Sequence, residues 1–389
     1  MFDAQLFIVL LLALAVGWWV GRYQKKAALR EDETSTIPLH YAEGVRYLIE
    51  GVEDDAIETF MQSLPVNEQT FELHLSIGVM MRRRGEVGRA ILIHQNLLSR
   101  PRIAKLLQEK AQMELAKDYM KAGWLDRAER LLQEFDKSSG ELQLIAQRRL
   151  LEIYQEESEW PEAITIAEQL IPKGLFTRKQ APRWLQIQLA QYYCELAEIA
   201  IKASDTPSTI SHAKRAISIN KDCVRAVFIQ AQLSFDKQDY VQAIKLMNSL
   251  PSQSQILLVA KLDLLVDSYM ALGDLDLLIS KLQYLLDVSP STEIVLVLSQ
   301  LILRKESQSD AEEYLRSVLV KHPSLKVLES YLSLAANDVD CTTRDAIAAL
   351  DEKNNRHKPF LCSHCGFKSQ NLHWNCPTCK KWETLRYRH

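Results

Sequence analysis

Glycine and proline are scarce in this 389-residue chain, with 12 of each, which favours helix throughout. A dominant charge is missing too. The 47 basic and 50 acidic residues leave a formal charge of −3 and a pI near 6.3. That balance argues against a protein that coats nucleic acid, and no nucleic-acid partner is expected. Seven cysteines are few for this length, and four of them fall in one C-terminal cluster. Such usage does not make a disulfide framework; it points to a metal site in a reducing compartment. Catalytic signatures are absent: there is no G-x-x-x-x-G-K-[ST], no G-x-G-x-x-G, no H-E-x-x-H and no G-x-S-x-G. No catalytic or cofactor-binding residue is therefore assigned, and the expectation is a protein that is not an enzyme.

What is present is a recurring order of residues from about Leu39 to Ala336. In Tyr119-Met-Lys-Ala-Gly123-Trp-Leu-Asp-Arg-Ala128-Glu-Arg-Leu-Leu132 an aromatic is followed by Gly, then Ala, then a large apolar residue. The register returns as Tyr47, Gly51, Ala56, Phe60; as Met81, Gly85, Ala90, His94; and as Tyr269, Gly273, Leu278, Leu282. The Gly ends a first helix in a left-handed turn, and the Ala sits where a second helix crosses the first. Pro101, Pro290 and Pro323 follow second helices and stop them. A period of about 34 residues with this order resembles the tetratricopeptide repeat. The Ala position falls at Ala56, Ala90, Ala128, Ala163, Ala213, Ala243, Leu278 and Ala311, giving eight repeats and a closing helix near Leu325–Ala336. The step from Ala163 to Ala213 is 50, against 30 to 38 elsewhere, so a longer connection or stretched helices are expected there. Within the array, Arg82-Arg83-Arg84 reads as a solvated helix end, His94 as a packed core histidine, and Trp124, Trp160 and Trp184 as packing between repeats. Cys194, Cys223 and Cys341 read as single buried or surface thiols.

At the N-terminus every residue from Leu6 to Val16 is apolar, and Gly17, Trp18, Trp19 and Val20 continue the span before Arg22, Lys25, Lys26 and Arg30 arrive. A helix from Ala4 to Tyr23 would run about 30 Å, the thickness of the hydrocarbon core. The basic cluster follows the span, so a single-pass anchor with a short periplasmic N-terminus and a cytoplasmic body is expected. A cleaved signal peptide fits less well, because its charge precedes its apolar run. Gly17 and Gly21 form a G-x-x-x-G step that permits close helix approach.

Near the C-terminus, Cys362-Ser-His-Cys365 and Cys376-Pro-Thr-Cys379 are two C-x-x-C pairs separated by ten residues. Two such turns complete a tetrahedral sulfur shell, so Cys362, Cys365, Cys376 and Cys379 are the expected ligands of one metal ion, iron or zinc. Phe360, Phe367, Trp374, Trp382 and Tyr387 can give the module only a small core of its own, and bound metal is expected to supply much of its folding free energy. The turns resemble the knuckles of rubredoxin and of zinc ribbons. The expected architecture is therefore all-α: a tetratricopeptide repeat solenoid with an N-terminal transmembrane helix and a small C-terminal rubredoxin-like module. Its parts are an anchor at 1–23, a juxtamembrane basic segment and linker at 24–38, the array at 39–336, a connecting helix and linker at 337–358, and the module at 359–389.

This order of parts resembles the lipopolysaccharide assembly protein B family of Gram-negative bacteria, most specifically in Cys362-x-x-Cys365-Gly-Phe…Trp374-x-Cys376-Pro-x-Cys379…Trp382. The resemblance implies an inner-membrane adaptor that controls lipopolysaccharide biosynthesis. It implies that the membrane protease FtsH degrades the lipid A deacetylase LpxC with this adaptor's help, alongside other inner-membrane lipopolysaccharide-assembly proteins. It also implies that the metal module is required and packs against the repeats. The alternative is a rubredoxin-like redox protein that passes electrons through a four-cysteine iron site on a repeat scaffold.

Overall fold

A computed structural model of the chain describes residues 70–171, 181–335 and 358–387, apart from 102, 138, 139 and 289, and isolated positions at 16–18, 46, 47, 50, 59 and 68. The expected anchor, linker, first repeat and connecting segment at 337–357 thus lie outside the described residues, as does Cys341, save for those isolated positions. Among the described residues no helix is long and apolar enough to cross a membrane. The chain forms two compact units, residues 1–153 and 154–389.

In the first unit, α1 (Phe71–Arg84) and α2 (Val87–Leu98) make one hairpin, and α3 (Lys105–Ala122) and α4 (Leu125–Gln133) make the next. α5 (Glu141–Glu157) follows and carries the chain into the second unit. Each hairpin turns through a left-handed glycine. Gly85 has φ of 87°, and the next N–H, that of Glu86, donates to Met81 O at 2.9 Å. Gly123 has φ of 76°, and Trp124 N–H donates to Tyr119 O at 2.9 Å. Ala90 and Ala128 are fully buried at the helix crossings, as the repeat requires.

Arg82 departs from the sequence expectation, while His94 keeps to it with an unforeseen partner. Arg83 and Arg84 are exposed, but Arg82 turns inward and bonds Asp118 Oδ1 at 2.7 Å and Glu114 Oε2 at 2.5 Å. His94 is fully buried as expected, and it also has a polar partner: its Nδ1 lies 2.5 Å from Asp118 Oδ2. A carboxylate this deeply buried is tolerated only with such partners, which is why an arginine from the preceding hairpin is drawn off the surface. Trp124 is 46% exposed and lies beneath the Arg127 guanidinium at 4.8 Å, and Trp184 is 41% exposed, so both are only partly covered.

The second unit continues with α6 (Trp160–Gln169), α7 (Arg183–Lys202), α8 (Thr206–Ile219), α9 (Val224–Asp236) and α10 (Tyr240–Asn248). A 3-10 segment, Ser252–Lys261, leads into α11 (Leu262–Leu272) and α12 (Leu275–Val288), then α13 (Thr292–Lys305) and α14 (Gln308–Lys321). Part of the long step lies in α7, whose 20 residues make it the longest described helix; 172–180 are outside the described residues. Ala163, Ala213, Ala243, Leu278 and Ala311 are all fully buried, so the ruler holds through the irregular step. α15 (Leu325–Leu334) closes the array and packs Val327 with Val295 and Leu315. Cys194 and Cys223, far apart in sequence, are neighbours in space, with sulfurs 3.8 Å apart and fully buried. The start of α9 returns beside the middle of α7, which sequence separation does not reveal.

Residues 358–387 form a three-stranded antiparallel sheet of β1 (Phe360–Cys362), β2 (Lys368–Ser369) and β3 (Leu385–Tyr387), in the order β2-β1-β3. It has no separate core. One apolar cluster runs from Val224 on α9 through Leu265 on α11 and Leu298 on α13 to Phe360, Cys362, Cys376 and Leu385.

Candidate metal centre

The two C-x-x-C turns are built alike. In the first, Cys362 N–H donates to Phe367 O at 2.8 Å and Gly366 N–H returns to Cys362 O at 3.0 Å. In the second, Cys376 N–H donates to Lys381 O at 2.9 Å and Lys380 N–H returns to Cys376 O at 2.8 Å. The residue four beyond the first cysteine is left-handed in both, Gly366 with φ of 76° and Lys380 with φ of 56°. Only the first turn has the glycine that such a conformation favours.

All four Sγ atoms lie within 4.8 Å of one another, with Cys362 to Cys379 at 3.8 Å and Cys365 to Cys376 at 3.6 Å. A tetrahedral shell with metal–sulfur bonds of about 2.3 Å has sulfur–sulfur edges of about 3.8 Å, so the donor set fits one ion. Burial opposes ionisation of Cys362, but Thr384 and the backbone N–H groups of Cys365 and His364 outweigh it and hold the thiol down to about 5. At Cys365 the Phe367 N–H pulls the other way from burial and the three neighbouring sulfurs, which together push the thiol up to about 12. Like charges this close cannot all ionise by themselves; a cation at their centre removes the conflict. His364 is exposed and His373 Nε2 lies 3.0 Å from Ser369 Oγ, so neither joins the set.

Of the aromatic residues expected to form a small core, Phe360 and Tyr387 do pack on each other at 5.5 Å, while Trp374, Trp382 and the Tyr387 hydroxyl reach the helices. Trp382 Nε1–H donates to Gln155 Oε1 at 2.8 Å, and its ring meets Trp160 and Tyr192 edge-on at 6.2 and 6.0 Å. Trp374 meets Phe228 at 6.1 Å, and Tyr387 Oη–H donates to Glu293 Oε2 at 2.9 Å. Polar bonds finish the seam. Gln155 Nε2–H donates to Lys380 O at 3.0 Å, and Gln191 Nε2–H donates to Glu383 Oε1 at 2.7 Å. Trp160 packs on Tyr192 of the next repeat at 5.7 Å, as expected, and in addition receives Trp382 of the module. Gln155, Gln191, Tyr192 and Glu293 carry no sequence signal for this role; each is one residue of an amphipathic helix until its distant partner is placed beside it.

Residues 360–386 match the family described as "Rubredoxin metal binding domain". Lipopolysaccharide assembly protein B of Haemophilus influenzae is 30% identical over 98% of this chain and 97% of its own length. The chain belongs to the lipopolysaccharide assembly protein B family. The Escherichia coli protein of the same name is 29% identical, again over 98% of this chain and 97% of the relative. A solved tetratricopeptide repeat protein from Parabacteroides merdae is 15% identical, over 69% of this chain and 100% of that one, at a TM-score of 0.33, too slight a likeness to argue from. In this member of the lipopolysaccharide assembly protein B family, the matched segment includes all four cysteines and the docking aromatics Trp374 and Trp382, and ends one residue before Tyr387.

Proposed function

We propose that the chain is a membrane-anchored, non-enzymatic adaptor that regulates lipopolysaccharide biosynthesis by promoting FtsH-dependent proteolysis of the lipid A deacetylase LpxC. The observation that carries this reading is a match to lipopolysaccharide assembly protein B along 98% of the chain. The fold is compatible with it. Stacked helix hairpins offer extended side-chain surfaces to protein partners. An anchor at residues 1–23, with the body on the cytoplasmic side of the inner membrane, would concentrate those surfaces near membrane-bound partners.

In this reading Cys362, Cys365, Cys376 and Cys379 hold one ion, iron or zinc, whose part is structural. Such an ion supplies a cross-link between two turns that have little apolar surface of their own. The chain's residues do the rest: Thr384 and backbone N–H groups steady Cys362, while Trp382, Glu383 and Tyr387 fix the module to the helices.

The test is depletion of the protein in its own cells, followed by measuring LpxC lifetime after protein synthesis is stopped. A longer-lived deacetylase is expected. An unchanged lifetime would remove the proteolytic role and leave a repeat protein of the same family with another target. A visible band that bleaches reversibly with reductant would instead favour the electron-carrier alternative.

A further inference from the structure

Among the described residues there are two sets of closely spaced thiols, and they differ in access. Cys194 and Cys223 have sulfurs 3.8 Å apart and are both fully buried inside the helical array. In the module, Cys362 is 2% exposed and Cys376 fully buried, Cys379 is intermediate, and Cys365 is exposed. Oxidation of a cysteine follows thiolate character and access together. Cys194 and Cys223 lack access. A cation held by the four module sulfurs would keep them deprotonated, and of these Cys365 stands open to solvent.

We propose that Cys365 is the ligand at which a hydroperoxide opens the four-sulfur shell, with Cys376 as the thiol that resolves the product. This rests on the reading that the four cysteines hold an ion. In the first step the Cys365 sulfur attacks one peroxide oxygen. An S–O bond forms, the O–O bond breaks, sulfur gives up two electrons, and the second oxygen leaves as hydroxide. The sulfenic sulfur then sits next to Cys376, whose Sγ lies 3.6 Å away across the two turns. Attack by the Cys376 thiolate forms the S–S bond and expels the sulfenic oxygen, which takes up protons and leaves as water. A disulfide needs about 2.05 Å between sulfurs, so the pair has to close by about 1.5 Å. Two of four ligands are then spent, and the ion is released. Occupancy of the module thereby becomes sensitive to peroxide, while the buried pair in the array stays reduced.

The experiment uses the full chain loaded with zinc, its content measured before treatment. Hydrogen peroxide is added in the presence of a colorimetric zinc chelator, and parallel samples are trapped with a sulfenic-acid reagent and mapped by peptide mass spectrometry. The first adduct is expected at Cys365. A linked Cys365–Cys376 peptide should then accumulate in step with zinc release, about one zinc per disulfide. The Cys194→Ser variant should release zinc at the parent rate. A first adduct at Cys362, Cys376 or Cys379, or a first disulfide joining Cys194 to Cys223, would overturn the inference while leaving the metal reading intact. So would zinc release with no Cys365–Cys376 linkage. A chain that holds no zinc before peroxide is added would defeat both.

Discussion

The His94 ring occupies space that Gly78 leaves open. A Cβ at Gly78 would lie 2.4 Å from His94 Nε2 and 2.6 Å from Cε1, too close for any side chain. The ring is also pinned on its other side, where Nδ1 meets Asp118, and Asp118 in turn meets Arg82. Gly78→Ala has two opposed effects. Alanine is favoured over glycine in a helix by about 1 kcal/mol. Against that, the ring must shift, which costs about 1–3 kcal/mol in overpacking and a further 1–3 kcal/mol if Asp118 loses a buried partner. Net destabilisation of the first unit is therefore expected, read as earlier urea unfolding with faster exchange of amides in α1 to α3. Equal or greater stability in the variant would show that the ring moves freely. A histidine in a large-apolar position marked this spot in the sequence, but the reason for it is an aspartate one hairpin later.

At the scale of elements, the turn between helices is more general than its glycine. Gly85, Gly123 and Gly273 announce their turns in the sequence, whereas Ser158, Ser204 and Gln238 take the same left-handed conformation, with φ of 62°, 58° and 63°. Each is followed by the same backbone bond, as from Asp239 N–H to Ser234 O at 2.9 Å. The following Asp205 and Asp239 then cap the next helix through Ser208 and Gln242 N–H. Repeat spacing and buried alanines were legible because each is set by a local helix crossing. The four cysteines were legible because each turn holds its own pair. The docking seam was not, since Gln155 and Trp382 are separated by 227 residues and share no pattern.

Glu383 shows what that seam does to chemistry. Burial raises its carboxyl above the usual glutamate range, opposed by the bond from Gln191 and by the charges of Arg386 and Arg183. An acid raised in the folded state is bound to its proton more tightly there than in the unfolded chain. Its contribution is therefore fully present at low pH and is lost as pH rises through the folded value. Glu383→Gln keeps an oxygen for Gln191 and removes the ionisation. The variant should melt higher than the parent at pH 7 to 8, with the advantage shrinking as pH falls toward the ordinary glutamate range. A constant difference across that range would mean that Glu383 does not titrate between the two states.

For the whole molecule, the absence of a separate module core predicts how metal loss spreads. Phe360, Cys362, Cys376 and Leu385 belong to the same apolar cluster as α9, α11 and α13. Removing the ion with a strong chelator should lower the melting transition of the second unit and raise amide exchange in α7 and α9 as well as in residues 360–387. Helices α1 to α4 of the first unit should keep their protection. Loosening confined to the last thirty or so residues would show that the helices hold their shape without the module.

The seam also fixes a sequence of events during synthesis. Trp160, Tyr192 and Phe228 leave the ribosome long before Trp374 and Trp382 exist to cover them. At about 5–20 residues per second, that apolar face waits on the order of ten seconds or more for its lid. A transcript cut short before codon 360 would yield helices able to stack yet showing bare aromatic surface, the kind of feature that chaperones and proteases detect. Cover for that aromatic face thus depends on a segment made well after it.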